Sequence, residues 1–172
     1  MSTAFKYTLA GIAAVLLSFF SVGLIHPEIE YESKIAIHAS PEKSFQVFTD
    51  TSLMHQWLPG FKSFSKISGD PLTAGTKHLL VLEQEGKVYE ITETITDVKP
   101  NQRYAFDAVN SVLKSSNLLI FEGDSSQTLL TVQTRARGNN LFLRSLFVFT
   151  KPLFQQQQDT IYHQLKLTIE KK

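Results

Sequence analysis

The sequence predicts an α+β fold. A curved seven-stranded antiparallel sheet closes around one long C-terminal helix, two short helices separate strands 1 and 2, and a transmembrane helix precedes the whole. Three observations carry this prediction. Apolar and polar residues alternate with period two in segment after segment between Ile29 and Arg137. No glycine follows Gly138, and apolar residues in that last stretch recur at helical spacing. Near the N-terminus, Tyr7 to Ile25 carries no charged side chain.

Composition narrows the function classes. The 172 residues are 42% hydrophobic and 19% charged, which fits a folded chain rather than a disordered one. A formal net charge of +1 offers no bulk attraction to nucleic acid. The chain has no cysteine, which excludes disulfides, thiolate nucleophiles and cysteine metal ligands.

The apolar run from Tyr7 to Ile25 would span about 28 Å as a helix, close to the hydrocarbon thickness of a bilayer. An uncleaved anchor and a removed signal peptide both fit. Ser21-Val22-Gly23 resembles a cleavage site, but Leu24 and Ile25 prolong the apolar stretch beyond it, which favours the anchor. Residues 1–27 are therefore expected to form the membrane segment and residues 28–172 the folded domain. Lys6 precedes the span, whereas Lys34 is the nearest cation after it. The asymmetry of basic residues favours a single-pass protein with its domain on the extracytoplasmic side.

The elements follow in order. Pro27 closes the span, and Ile29 to His38 alternate as a first strand. Ser40-Pro41-Glu42 has the cap, the proline and the acid of a helix start, and that helix runs to about Asp50. Thr51 or Ser52 is positioned to cap a second short helix, which Pro59-Gly60 stops. Strands are expected over Lys62 to Ser68, Gly75 to Gln84, Lys87 to Lys99, Arg103 to Val109, onward from the Asn110-Ser111 turn to Glu122, and Thr128 to Arg137. A tight turn at Glu85-Gly86 makes one hairpin. The remainder reads as a long helix, kinked or broken at Pro152. Leu143, Phe147, Phe154, Ile161, Leu165 and Thr168 fall on one face, and the run Gln155 to Gln158 has no evident role.

A sheet with one polar face must cover the other, and the C-terminal helix is the only long cover available. One helix laid over a strongly curved sheet leaves a gap, a natural apolar pocket. Alternation turns Tyr89, Ile91, Glu93 and Ile95 inward, together with Tyr104, Phe106 and Ala108, Leu119 and Phe121, and Leu130, Val132, Thr134 and Ala136. The expected cavity wall is Trp57, Phe61, His78, Tyr89, Ile91, Glu93, Tyr104, Phe106, Leu119, Phe121, Leu130 and Val132, with Phe147, Phe154 and Ile161 from the helix.

Ile35-x-Ile37-x-Ala39-Ser40-Pro41-Glu42, Val47-Phe48-Thr49-Asp50 and Trp57-x-Pro59 resemble the opening of the START/polyketide-cyclase superfamily, also called SRPBCC or birch-pollen-allergen-like. Gly75-Thr76, Val98-x-Pro100 and the helix ending Gln164-Leu165-Lys166 to Glu170 look like the same family, over roughly residues 28–172. The resemblance implies a helix-grip fold and a cavity for lipids, quinones, polyketides or similar apolar molecules. It leaves open whether the protein binds, carries or transforms its ligand.

No helical pair among the five histidines, no H-E-x-x-H and no phosphate-cradling loop appears, so no metal or cofactor is expected. Arg135 and Arg137 fall on the wet sheet face, as solvated charges or as attraction for anionic headgroups. Glu93 is the sharpest position, an inward carboxylate between Ile91 and Ile95 whose pKa burial would raise. It can pair with a neighbour, hold a ligand hydroxyl, or act as acid or base near Tyr89, Tyr104 or His78. The cluster Leu141, Phe142, Leu143, Leu146, Phe147, Val148, Phe149, Leu153 and Phe154, which puts apolar residues all round a helix, belongs in the core or in a lid that meets the membrane. The expected function is binding or transport of a hydrophobic small molecule by a membrane-tethered domain. The alternatives are a polyketide cyclase or dehydratase, and an interaction domain with no usable pocket.

Overall fold

The computed structural model describes residues 3–171. Helix α1 (Thr3–Ile25) is followed by β1 (Ile29–Ile37), α2 (Pro41–Thr49), a single 3-10 turn (Thr51–Leu53) and α3 (Met54–Trp57). Six strands then run in succession: β2 (Phe61–Ser68), β3 (Lys77–Gln84), β4 (Lys87–Lys99), β5 (Arg103–Val109), β6 (Leu113–Gly123) and β7 (Thr128–Gly138). Helix α4 (Leu141–Lys171) ends the chain. The sheet order is β1-β7-β6-β5-β4-β3-β2, with every neighbouring pair antiparallel. Short turns make β2 to β7 a meander, and β1 returns to pair with the free edge of β7. With α4 laid along the concave face, this is the helix-grip fold.

Local chemistry explains the joints. Ser40 accepts the Lys43 amide and Pro41 opens α2. Asp50 caps the following turn by accepting the Ser52 amide at 2.9 Å, a role the sequence assigned to Thr51 or Ser52. Glu85 and Gly86 both take positive φ, 51° and 74°, the backbone that a two-residue hairpin between right-twisted strands requires. Several strand limits shift by a residue or two: β1 ends at Ile37, β2 begins at Phe61, Gly75-Thr76 precede β3 rather than open it, and β6 and β7 run on to Gly123 and Gly138.

Pro152 neither breaks α4 nor divides it. Its missing donor removes one helix bond, but contacts on both sides hold the helix in place. Before it, Ser145 and Phe147 are buried; after it, Gln158, Leu165, Thr168 and Ile169 are buried. The glutamine run has a structural role that its composition did not reveal. Gln158 Nε2 donates to Ser33 Oγ at 3.0 Å and to the Val132 carbonyl at 3.2 Å, while Thr134 Oγ1 donates to Gln158 Oε1 at 2.6 Å. Gln155 Nε2 reaches the Glu32 carbonyl at 2.7 Å. These bonds pin the middle of α4 to β1 and β7, and they satisfy groups that burial would otherwise penalise.

The main core lies at one end of the concave face. Leu119, Leu130, Val132, Leu165 and Ile169 are fully buried there. Phe45 and Phe48 of α2 meet Phe121 and Tyr104 edge-on, with ring centroids 5.5 Å and 5.2 Å apart. Outside, Arg135 pairs with Glu30 at 2.7 Å and Arg137 lies 3.9 Å from Glu28, so these cations on the wet face have acidic neighbours.

Candidate functional site

Residues directly paired across an antiparallel ladder point to the same face, so the register lays the inward side chains out in rows. One row runs Val98, Tyr104, Leu119, Val132, Ser33. The next runs Ile95, Phe106, Asn117, Thr134, Tyr31. A third runs His78, Glu93, Ala108, Ser115, Ala136. Apart from Tyr104, the first is covered by α2 and α4. A cavity of about 320 Å³ lies over the second row, between the sheet, α2, α3 and α4, and takes in Tyr104 from the first row and His78 and Glu93 from the third. That is near the lower end of the usual size for small-molecule sites. Thr51, Pro71, Leu72 and Gln157 are its exposed members and mark its mouth.

Of the residues expected on the wall, Trp57, His78, Glu93, Tyr104, Phe106, Phe154 and Ile161 border this cavity. The others lie elsewhere. Leu119, Phe121, Leu130 and Val132 face the same way but are at most 2% exposed, enclosed in the main core. Phe147 is buried in a second cluster with Ile29 and Ala136. Phe61 is half-buried against the main core. Tyr89 and Ile91 share the face of Glu93 but sit nearer the Glu85-Gly86 turn, opposite Leu82 and Leu80 and outside the cavity. Alternation assigns a face, and it does not tell whether the space above that face is filled.

Several wall residues were missed although a signal existed. Asn117 lies two positions before Leu119 and therefore turns inward with it. Tyr31 and Thr134 occupy the same transverse row. Gln158 and Tyr162 follow Phe154 by four and eight residues along α4, on its inner face. Phe48 and Met54 come from α2 and α3.

Asn117, Thr134 and Gln158 of this cavity are hydrogen-bonded to one another or to the backbone, whereas other polar groups of its wall are not. Among the described residues, the buried Trp57 Nε1 and His78 Nδ1 have no hydrogen-bond partner. Burial pushes the Glu93 carboxyl up to about 7, with no cation to hold it ionised. His78 stands opposite Glu93 across the β3–β4 ladder and stacks on Phe64 at 4.6 Å. Its pKa is lowered by burial first and by Lys66 second, so at neutral pH the imidazole is uncharged and either donates or accepts. Burial raises the Tyr104 and Tyr162 phenols, and the Glu93 carboxylate adds to both shifts. Burial alone raises Tyr31, to about 12. All three tyrosines are therefore neutral hydroxyls at physiological pH. The walls are apolar, and these groups can meet a ligand's oxygen by donating or accepting without carrying full charge. Among the described residues, no three His, Asp or Glu side chains gather in a metal-binding group.

Comparison with known proteins agrees with this geometry. Among curated proteins no sequence matches the chain. In structure it is similar to Ara h 8.0201, at 14% identity and TM-score 0.67, covering 84% of this chain and 99% of the other. It is similar to the protein TTHA0849 from Thermus thermophilus, at 16% identity and TM-score 0.67, covering 82% and 97%. It is also similar to the Zhui aromatase/cyclase from Streptomyces sp. R1128, at 11% identity and TM-score 0.61, covering 80% and 93%. At such identities the likeness establishes the fold alone. The sequence profile described as polyketide cyclase / dehydrase and lipid transport matches residues 28–170, nearly everything after α1, and the chain belongs to that family.

Proposed function

We propose that this protein is a membrane-tethered binder or carrier of an apolar small molecule with an oxygen-bearing end. One observation carries the reading: an apolar cavity lined by Trp57, His78 and an unpaired Glu93 carboxyl, with Trp57 Nε1 and His78 Nδ1 buried and without partners. An unmet buried donor or acceptor is disfavoured by roughly 1–3 kcal/mol, which a ligand hydroxyl or carbonyl would relieve. Apolar burial would supply the remaining affinity at roughly 25 cal/mol per Å². The cavity wall of this proposal is Trp57, His78, Glu93, Phe106, Tyr162 and their neighbours above.

Tethering is the second part of the reading. Helix α1 has 23 residues and a mean hydropathy of 2.2 in its most apolar window, with little of it buried. Gly23, which would lie at a signal cleavage site, is instead the one buried residue of α1, seated against Ser145 of α4. That contact favours a helix retained in the mature chain. Its orientation, with the domain outside the cytoplasm, rests on Lys6 and is tested by protease protection in intact cells.

The decisive experiment is mass spectrometry of small molecules that co-purify with the full chain from its native membrane. Recovery of one oxygenated apolar compound, lost in Ile161→Trp, which fills the cavity from α4, supports binding; an empty protein that takes up no such compound overturns it. Glu93 favours one second reading, a cyclase or dehydratase, because a carboxyl poised near neutrality can exchange a proton with a bound substrate. Glu93→Gln separates the two: a carrier retains its ligand, whereas an enzyme retains it and loses turnover.

A further inference from the structure

Helix α4 carries a face that neither core nor cavity uses. Phe142, Phe149 and Leu153 are 53%, 61% and 63% exposed. Their spacing of seven and four residues aligns them in one stripe along the helix. The stripe is uncharged, Arg144 and Lys151 project from the opposite side by helical spacing, and it turns polar beyond Leu153, at Gln156 and Thr160.

This stripe adjoins the segment already read as the membrane anchor. Phe19 of α1 stacks on Phe149, with centroids 5.8 Å apart and planes within 9°, and meets Phe142 at 5.7 Å. At Gly23 the two backbones nearly touch, since a Cβ there would lie 2.6 Å from the Ser145 amide nitrogen. Ser145 is fully buried and its hydroxyl bonds back to the Leu141 carbonyl at 3.1 Å, which lets the helices approach without an unpaired group. Small residues at the crossing and internally satisfied hydroxyls suit two helices that associate in lipid.

Depth follows from helix geometry. Phe19 lies about 9 Å before the end of α1 at Ile25, more than a full turn. If α1 crosses the bilayer, Phe19 is below the headgroups, and so are the rings that touch it. We infer that the first turns of α4 lie in the same bilayer as α1, with Phe142, Phe149 and Leu153 against lipid acyl chains. The inference rests on the anchoring reading above and extends it to a part of the folded domain. It also gives the ligand a route. Leu153 borders a surface groove with Pro59 and Gln156, and that groove shares Gln157 and Ile161 with the cavity. An apolar molecule leaving the acyl region along this side meets Leu153, Pro59 and Ile161 on its way to the cavity.

The absence of native cysteines makes the test clean. The full chain is reconstituted in phosphatidylcholine vesicles with a single environment-sensitive fluorophore at Leu16→Cys, Phe149→Cys, Leu153→Cys or Gln133→Cys. Nitroxide-labelled lipid is then titrated in. Labels at 149 and 153 are expected to lose about as much emission as the label at 16, while the label on the outer sheet face at 133 keeps its emission. Quenching at 16 with labels at 149 and 153 behaving like 133 overturns the inference and leaves the anchor standing. No quenching at 16 defeats the anchor and the inference together. Circular dichroism of each labelled chain confirms that it is folded, and positions 149 and 153 are exposed enough for the label to be accommodated.

Discussion

The two ends of the sheet's concave face obey one sequence rule and end in opposite states. At one end, Leu119, Leu130 and Val132 are fully enclosed beneath α2 and the C-terminal half of α4. At the other, Phe106, Asn117, Glu93 and His78 are equally inward by register, yet they border open space. The difference lies in what stands opposite. Phe45, Leu165 and Ile169 fill the first end, whereas at the second Phe154, Gln158, Ile161 and Tyr162 of α4 leave space over Phe106 and Asn117, and polar side chains appear where packing is incomplete. A helix-grip domain thus divides its interior into a part that holds the fold and a part that remains available to a guest.

That division gives graded predictions. Leu130→Ala in the filled end should destabilise the protein by about 3–4 kcal/mol, because it removes apolar contact and leaves a void. Phe106→Ala, facing the cavity, should cost about half that, since the space beside it is already open. Urea unfolding followed by Trp57, the single tryptophan, measures both. Equal losses would erase the distinction between the two ends.

Glu93 sharpens the contrast through pH. Its folded pKa, about 7, lies above the ordinary value of 4.5, so the folded state binds the proton more tightly. Below about pH 4.5 both states are protonated and Glu93 contributes no difference. As pH rises from there through about 7 the unfolded chain ionises first, and stability falls by an amount on the order of 3 kcal/mol. Glu93→Gln should remove that decline, raising stability at pH 8 relative to the parent and leaving the comparison at pH 4 nearly unchanged. A parent whose stability is flat between pH 5 and 8 would show the carboxyl to be solvated or paired.

Smaller effects follow at the seam between the ends. Gln158→Leu takes the α4 partner from Thr134 and the Val132 carbonyl, while Ser33 keeps Asp159 and Gln155, and should cost about 1–2 kcal/mol in the same unfolding measurement. Smallest of all in stability is Ile161→Trp, which fills empty space and should shift unfolding, followed by circular dichroism, by less than about 1 kcal/mol. Uptake of an apolar fluorescent probe, by contrast, should be lost. Retained uptake would mean that the guest occupies another part of the molecule.

Much of this was legible in the residues themselves. The order of strands, the Glu85-Gly86 hairpin, the helix start at Ser40-Pro41 and the apolar N-terminal helix all follow from local periodicity and local backbone chemistry. The inward face of every strand from β4 to β7 was legible too, because the pleat has a fixed period of two. Glu93 stood out for that reason alone. Asn117 and Tyr162 obeyed the same rules and could have been read with it.

What the sequence alone determined, then, is which elements form and which way each side chain turns, since those depend on neighbours a few residues away. Only the tertiary structure decided which inward residues are sealed and which border a cavity, because that depends on how far α4 stands from each row of the sheet. It also decided that Gln155 and Gln158 anchor the helix and that Gly23 meets Ser145. Those contacts join residues more than one hundred positions apart in the chain for Gly23 and Ser145, and for Gln158 and Ser33, a distance over which local pattern carries no information.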